Sequence, residues 1–288
     1  MRISGLTLGY RALASGYPVV ECVRCLLSFC DEVVANIGVS DDGTRESLEG
    51  IADKRIMLIG EPWDLENRVK GRLLSGETNR GMRQCTGDWI VYLQADEILH
   101  EEDIPRLAGE LAEVSRNPRI DGISFRYLHF YGSPLYVQDN PLKWYTRAVR
   151  AVRTGRGIVS VGDALKFRRM DGDRARRVRE YRSPVRVFHY GWARPPEIMV
   201  EKQRNLDRLW NDDAALADKY SSMTAEKIYS DNRHLVPFRG THPALMAQKV
   251  AQASWKFEPW IDGRPRLVRI GIALLARPFQ KLLKRLGV

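Results

Sequence analysis

A continuous apolar run, residues Trp89–Leu93, constrains the fold more than any other segment of the chain. Runs of this length without polar alternation are typical of strands that are buried on both faces in the centre of a parallel sheet. The run follows Gly87, a chain breaker, and leads directly into Gln94–Glu97. The sequence therefore predicts a central strand that delivers an acidic turn at its carboxyl end.

The first half of the chain alternates strand-like and helical patterns. Strands are expected at Ile3–Leu8, Glu32–Val39 and Arg55–Ile59, with helical spacing of apolar residues between them. This alternation is typical of a mostly parallel sheet with crossover helices. Beyond about residue 115 the pattern changes to strands, loops and a basic stretch from Arg168 to Arg182. We therefore expect an α/β fold with a Rossmann-like, mostly parallel sheet and flanking helices.

Acidic residues follow two of the expected parallel strands. Asp41 and Asp42 come after the second strand, and Asp96 and Glu97 come after the apolar run. Ligands of open α/β sheets bind beyond the carboxyl ends of the strands, so these carboxylates are candidates for one shared site. Mn²⁺ and Mg²⁺ prefer oxygen ligands and usually take only one or two carboxylates from the protein. The turn of Asp96 and Glu97 is thus a candidate divalent-metal site.

The segment Gly87–Glu97 resembles the motif of glycosyltransferase family 2 in which a hydrophobic strand ends in an Asp-x-Asp-type metal and diphosphate site. Tyr17–Glu21, opening a helix, and Ser40–Thr44, following a strand, are similar to the donor-binding half of that family. Together these segments cover about residues 1–115. The resemblance implies a GT-A fold, a nucleoside diphosphate sugar as donor and inverting sugar transfer to a hydroxyl group.

The resemblance also implies roles for single residues. Asp41 and Asp42 match the acidic turn that contacts the base and ribose, and Asp96, with Glu97, matches the metal and diphosphate site. His189 lies in a His-Tyr-Gly-Trp segment that resembles the late part of these enzymes, where a histidine returns to the metal and diphosphate. Imidazole is a suitable ligand for completing such a divalent-metal site.

Gln94 occupies the first acidic position of the Asp-x-Asp pattern. Its side chain offers a carbonyl oxygen for the nucleotide sugar but carries no charge, so metal dependence is less firmly expected than the fold. Arginines are able to take over part of the charge neutralisation, and Arg72 is the candidate for that role.

Inversion at the anomeric carbon requires a general base that removes the proton of the acceptor hydroxyl. Asp163, in Val161–Ala164, is the first candidate because it looks like an acidic position on the acceptor side of related transferases. Asp139, in a Gln-Asp-Asn-Pro turn, is the second.

Three segments are expected: a donor-binding half at 1–115, an acceptor-binding half of the same domain at 116–215, and a helical, basic extension at 216–288. The net charge of +10 and pI near 9.5 favour anionic partners. The basic apolar stretch 264–286 is a candidate for peripheral contact with an anionic membrane, which suits a cell-surface glycan or lipid-linked acceptor. No window reaches the roughly 18 uninterrupted apolar residues of a membrane span, and a cytoplasmic location is expected.

Two other functions fit the same residues. A nucleotidyltransferase shares the need for a nucleotide, a divalent ion and a parallel sheet, but it attacks the α-phosphate of the nucleotide. A protein without catalysis, binding a nucleotide sugar or nucleic acid, is the other alternative, because Gln94 removes a charge and the surface is basic. Nucleic acid is not the expected partner. The sugar, base, acceptor and oligomeric state depend on loop shapes that the sequence pattern does not specify.

Overall fold

The computed structural model of the 288-residue chain describes residues 1–63, 72–140, 143–208, 216, 219–220, 223–229 and 234–261. Within these residues, one large mixed sheet forms the centre of the molecule, and a small three-stranded sheet lies beside it. The segment 264–286, the candidate for membrane contact, lies outside the described residues. None of the helices in the described part of the chain combines the length and apolar character needed to span a membrane.

The amino-terminal strands form the parallel part of the large sheet, in the order β3-β2-β1-β4. These strands are β1 (Ile3–Gly9), β2 (Glu32–Ile37), β3 (Ile56–Ile59) and β4 (Trp89–Tyr92). The helices between them are α1 (Val19–Leu27), α2 (Thr44–Glu49) and α3 (Arg72–Gln84). Because the four strands run in the same direction, all of them end at the same edge of the sheet.

The second half of the chain extends the same sheet with antiparallel strands. The further strands of the sheet are β5 (Glu97–Leu99), β6 (Gly122–Tyr131), β7 (Ser133–Gln138), β8 (Arg147–Arg153), β12 (Glu180–Trp192) and β13 (Leu235–Pro237). Strand β8 pairs with β4, β6 lies between β8 and β7, and β12 runs parallel to β6 and antiparallel to β5. The expected α/β fold is confirmed, and residues from both expected halves share one sheet.

The basic stretch from Arg168 to Arg182 is mainly strand. It forms most of β10 (Lys166–Asp171) and all of β11 (Arg174–Arg177), which pair with β9 (Ile158–Val161) in the small sheet, and then enters β12. The remaining described helices are α4 (Ile104–Ser115), α5 (Pro196–Asp207), α6 (Ala225–Ile228) and α7 (Ala247–Ala251).

Strand β4 is apolar throughout because both of its faces are buried. Trp89 and Val91 pack into the core cluster that contains the residues of α1 and α4. Ile90 and Tyr92 point to the opposite face and pack into a second cluster, which contains Leu73 of α3. Alternate residues of a strand point to opposite faces, so a strand covered by helices on both sides has no polar positions. The tight packing fixes the turn that follows β4.

Candidate functional site

A cavity of about 320 Å³ lies at the carboxyl ends of β1 and β4. This is within the size range of small-molecule sites in proteins. Its wall contains aromatic side chains and a small number of polar groups: Ser15, Gln94, Asp96, Asp163, His189, Lys202 and Asn205. The strand-end rule therefore places the apolar run, the acidic turn and the cavity together, as expected from the sequence.

Asp96 and His189 meet on the wall of this cavity. β12 pairs with β5 so that His189 lies opposite Glu97, and the backbone N–H of Tyr190 donates to the carbonyl oxygen of Asp96 at 2.8 Å. His189 Nε2 lies 3.5 Å from Asp96 Oδ2. Burial raises the pKa of Asp96, but the charge and hydrogen bond of His189 outweigh it and hold that pKa well below its usual value. Asp96 is therefore a carboxylate at neutral pH.

A second histidine orients the first. His129 Nε2 lies 2.7 Å from the carbonyl oxygen of Tyr145, and its Nδ1 lies 3.0 Å from His189 Nδ1. Burial, together with the charge of His189, lowers the pKa of His129 to about 3, so His129 is neutral. Its Nε2 must donate to the carbonyl, which leaves its Nδ1 to accept from Nδ1–H of His189. Because Nδ1–H of His189 is donated to His129, Nε2 is the ring nitrogen of His189 that faces Asp96.

The position of Gly191 explains why the His-Tyr-Gly-Trp segment contains a glycine. A Cβ atom at this position would lie 2.5 Å from Asp96 Oδ2 and 2.6 Å from His189 Nε2. Both distances are shorter than non-bonded contacts allow. A side chain at residue 191 would therefore fill the space between the carboxylate and the imidazole.

Glu97 points away from the cavity, into the core. Its carboxylate accepts two hydrogen bonds from the Arg150 guanidinium, both at 2.8 Å, and one from the Tyr127 hydroxyl at 2.7 Å. The side chains of Glu97 and Arg150 are both 0% exposed. The guanidinium carbon also lies 5.3 Å from the Tyr92 ring centroid and 5.4 Å from the Tyr127 ring centroid. This placement differs from the metal contact that the resemblance implied, because the carboxylate oxygens are held by the buried pair.

Asp41 and Asp42 lie at the same sheet edge but do not line the cavity. The Asp42 carboxylate accepts from the backbone N–H of Ala14 at 2.9 Å and from the Ser40 hydroxyl at 2.8 Å. Burial raises the pKa of Asp42, and these hydrogen bonds, with those from Thr44, bring it below its usual value. Asp41 pairs with Arg11 at 2.5 Å and is exposed. The turn thus holds the loop after β1, whose Tyr10 and Ser15 do line the cavity.

The other expected residues are distributed around this centre. Asp163, in the turn between β9 and β10, lines the cavity that contains Asp96. Asp139 lines a second cavity of about 380 Å³, which shares Trp144 and Tyr145 with the first. Arg72 is exposed at the start of α3 and is not among the residues lining either cavity.

The chemistry of the donor set fits a divalent cation with two protein ligands. A carboxylate oxygen and an imidazole nitrogen are adjacent, the glycine leaves space between them, and both are suitable ligands. Among the residues that the structure describes, no cluster of three or more His, Cys, Asp or Glu side chains is placed to hold a metal ion. Two protein ligands are consistent with Mg²⁺ coordination, in which water molecules and substrate phosphates usually occupy the other coordination positions.

Lys202, His129 and Arg150 were not identified from the sequence. Lys202 lies on the face of α5 that also carries the buried Met199 and Asn205, three residues away on each side. A lysine on the buried face of a helix is unusual, and this pattern is the sequence feature from which a role for Lys202 could have been predicted. His129 and Arg150 lie within strand patterns and carry no local signal of their own.

A mixed sheet whose parallel strands end at an acidic turn and a cavity is the architecture of the GT-A glycosyltransferases, as expected from the sequence. The sequence profile of glycosyl transferase family 2 matches residues 18–174, which is more than half of the chain. The chain therefore belongs to glycosyl transferase family 2 and is a glycosyltransferase. A comparison with curated proteins found no match.

A comparison with solved structures gives matches that include the following two proteins. Residues 1–349 of S. aureus TarS give a TM-score of 0.40 at 15% identity, with 76% of this chain and 69% of that chain covered. Glucosyl-3-phosphoglycerate synthase from Mycobacterium tuberculosis, solved with Mn²⁺, uridine diphosphate and phosphoglyceric acid, gives a TM-score of 0.42 at 14% identity, with 74% and 80% covered. The family membership rests on the profile match.

Proposed function

We propose that the protein transfers a sugar from a nucleoside diphosphate sugar to a hydroxyl group with inversion at the anomeric carbon. The observation that carries this proposal is the convergence of Asp96, His189 and Asp163 on one cavity at the ends of β1 and β4. In the proposed arrangement, Asp96 and His189 face the donor's diphosphate and Asp163 faces the acceptor. Gln94 contributes an amide to the donor, and the turn of Asp41 and Asp42 positions the loop that borders the nucleoside.

The reaction breaks the bond between the anomeric carbon and the diphosphate oxygen, and that bond's electron pair leaves with the diphosphate. A new bond forms between the anomeric carbon and the acceptor oxygen, whose proton passes to the Asp163 carboxylate. A carboxylate on the opposite side of the sugar from the leaving group is the simplest base for such a displacement. Asp163 and Asp96 line the same cavity from different elements, which supports this division of roles.

We propose that Asp96 Oδ2 and His189 Nε2 hold a divalent cation, Mn²⁺ or Mg²⁺. The hydrogen bonds from His189 through His129 to Tyr145 support this role, because they engage Nδ1 of His189 and leave Nε2 to face the cation beside Asp96. When bound, the cation supplies Lewis-acid stabilisation of the departing diphosphate. We assign Glu97 to the buried pair with Arg150 and not to the metal.

The second cavity supports the proposal of a glycan or lipid-linked acceptor. It meets the first cavity at Trp144 and Tyr145, and aromatic rings offer an apolar face together with polar edges. An acceptor spanning both cavities would bring its hydroxyl beside Asp163. Peripheral contact with the inner face of the membrane stays part of this proposal as the expected role of 264–286.

A thermal-shift panel tests the donor. The proposal predicts that one class of nucleoside diphosphate sugar raises the melting temperature by about 5 °C at a concentration of about 100 times its Kd, because the ligand binds only the folded state. Mn²⁺ should increase the shift. The panel contains uridine, guanosine, cytidine, thymidine and adenosine diphosphate sugars, with the parent nucleosides as controls. If no diphosphate sugar gives a larger shift than its nucleoside, the proposed donor is wrong.

Asp163→Asn is expected to lower kcat by at least about 100-fold while changing the Kd of the donor by less than about threefold, because it removes the base but not the donor contacts. The rate of transfer is measured from the amount of nucleoside diphosphate released. NMR determines the anomeric configuration of the product. Asp139→Asn is the matched control, since Asp139 lies in the second cavity. A greater loss in the control would reassign the base to Asp139, and a product of retained configuration would exclude inversion.

A further inference from the structure

Lys202 is a buried cation on the wall of the cavity. It lies on α5 and is only 4% exposed. Its ammonium nitrogen lies 5.0 Å from the centroid of the Trp192 ring, and it donates no hydrogen bond to another of the described residues. Lysines are almost never buried to this degree unless they are paired. Lys202 also lines the cavity that contains Asp96, so a ligand in this cavity would contact it.

The charge balance of the cavity indicates what that ligand is. Lys202 is the one lysine or arginine among the described residues that line the cavity, and the carboxylates of Asp96 and Asp163 face it there. The neighbouring Arg194 is engaged elsewhere, because its guanidinium donates to the carbonyl oxygens of Ser15 and Tyr190. A diphosphate brings at least two further negative charges, and a cationic side chain in the wall would neutralise part of them alongside the proposed divalent cation.

Keeping Lys202 at this position costs stability. Burial and the nearby charge of Arg194 lower the pKa of Lys202 to about 7, while Asp96 and Asp207 partly offset the effect. The unfolded chain binds this proton more tightly than the folded chain does, so the cost is largest below pH 7 and falls as the pH rises toward 10.5. Buried groups that oppose folding are concentrated at functional sites, where a ligand compensates for them.

We propose that Lys202 binds the diphosphate of the donor and stabilises the charge that develops on it as the sugar leaves. This inference rests on the proposed function and deepens it. Gln94 replaces the first carboxylate of the Asp-x-Asp pattern with an amide. Asp96 is therefore the carboxylate of this turn that lines the cavity. Lys202 supplies directly, from α5, positive charge that a more acidic turn would recruit through a metal.

Calorimetric titration of Lys202→Met tests the inference. The ligands are pyrophosphate and the diphosphates of uridine, guanosine, cytidine and adenosine, each with and without Mn²⁺, against the corresponding nucleosides. We expect the variant to weaken diphosphate binding by about 10- to 100-fold, because a charge-assisted hydrogen bond to a buried phosphate is lost. Nucleoside binding should not change. Lys202→Arg should retain most of the affinity, and Lys166→Met, at an exposed lysine of β10, should match the wild type.

Equal diphosphate affinity in wild type and Lys202→Met would overturn the role of Lys202 while leaving the proposed function intact. If the wild type binds no diphosphate, both proposals fail. Thermal unfolding of the free protein gives an independent readout: Lys202→Met should raise the melting temperature, and by more at pH 6.5 than at pH 9.5. A lower melting temperature at both pH values would identify Lys202 as a structural residue and would also overturn the inference.

Discussion

Arg150→Met is expected to lower the free energy of unfolding by about 3–5 kcal/mol, because it leaves the Glu97 carboxylate charged and without its cation inside the protein. Both side chains are 0% exposed, and the guanidinium holds the carboxylate through two hydrogen bonds of 2.8 Å. For a chain of this size the loss corresponds to a fall in melting temperature of about 10 °C. Urea unfolding followed by circular dichroism measures the change.

Two further variants isolate the buried charge. The double variant Glu97→Gln/Arg150→Met should recover at least about half of the lost stability, since no uncompensated charge is left in the core. Arg45→Met breaks a solvent-exposed pair with Glu49, whose side chains are 45% and 54% exposed, and should cost less than about 1 kcal/mol. If Arg150→Met costs no more than Arg45→Met, the pair is not buried as described.

Asp96→Asn is expected to lower kcat/KM for sugar transfer by about 1000-fold or more. The substitution keeps the size of the side chain but removes the charge that faces His189, and metal-assisted stabilisation of a leaving group contributes several kcal/mol to a rate. The increase in thermal shift caused by Mn²⁺ should disappear at the same time. Release of nucleoside diphosphate in the presence of acceptor measures the first effect.

Asp173→Asn is the matched control for Asp96→Asn, since Asp173 is an exposed carboxylate in the turn between β10 and β11. Its activity and its response to Mn²⁺ should equal those of the wild type. If Asp96→Asn keeps more than about a tenth of the wild-type activity together with an unchanged Mn²⁺ response, the metal and diphosphate do not bind at this turn.

The sequence predicted the centre of the fold and of the site because both depend on local pattern. The apolar run of β4 and the strand-end rule located the acidic turn. The same pattern did not separate Asp96 from Glu97, which are neighbours in the chain. In the structure, Asp96 faces the cavity and Glu97 begins β5 with its side chain in the core. Which of two adjacent carboxylates faces a cavity depends on the backbone path of the turn.

Lys202 and His129 were missed for a related reason. Their roles depend on which atoms face them in the folded chain, and those atoms come from Trp192 in the first case and from His189 and Tyr145 in the second. The contact of Lys202 joins a helix to the end of a strand, and those of His129 join separate parts of the chain, so neither set leaves a periodic pattern in the sequence. Asp42 shows the opposite case, because its hydrogen bonds to Ser40 and Thr44 are those of a local turn.

The pairing of β5 with β12 has a consequence for how this enzyme is made. A ribosome that has released only the parallel strands has produced the carboxylate of Asp96 but not the imidazole of His189, which enters with β12. Long-range strand pairing of this kind forms late, since the intervening chain must first close a large loop. If Asp96 and His189 hold the donor's diphosphate as proposed, nucleotide capture by a nascent chain would report that β12 has docked, and unfinished chains would leave the cell's pool of activated sugars untouched.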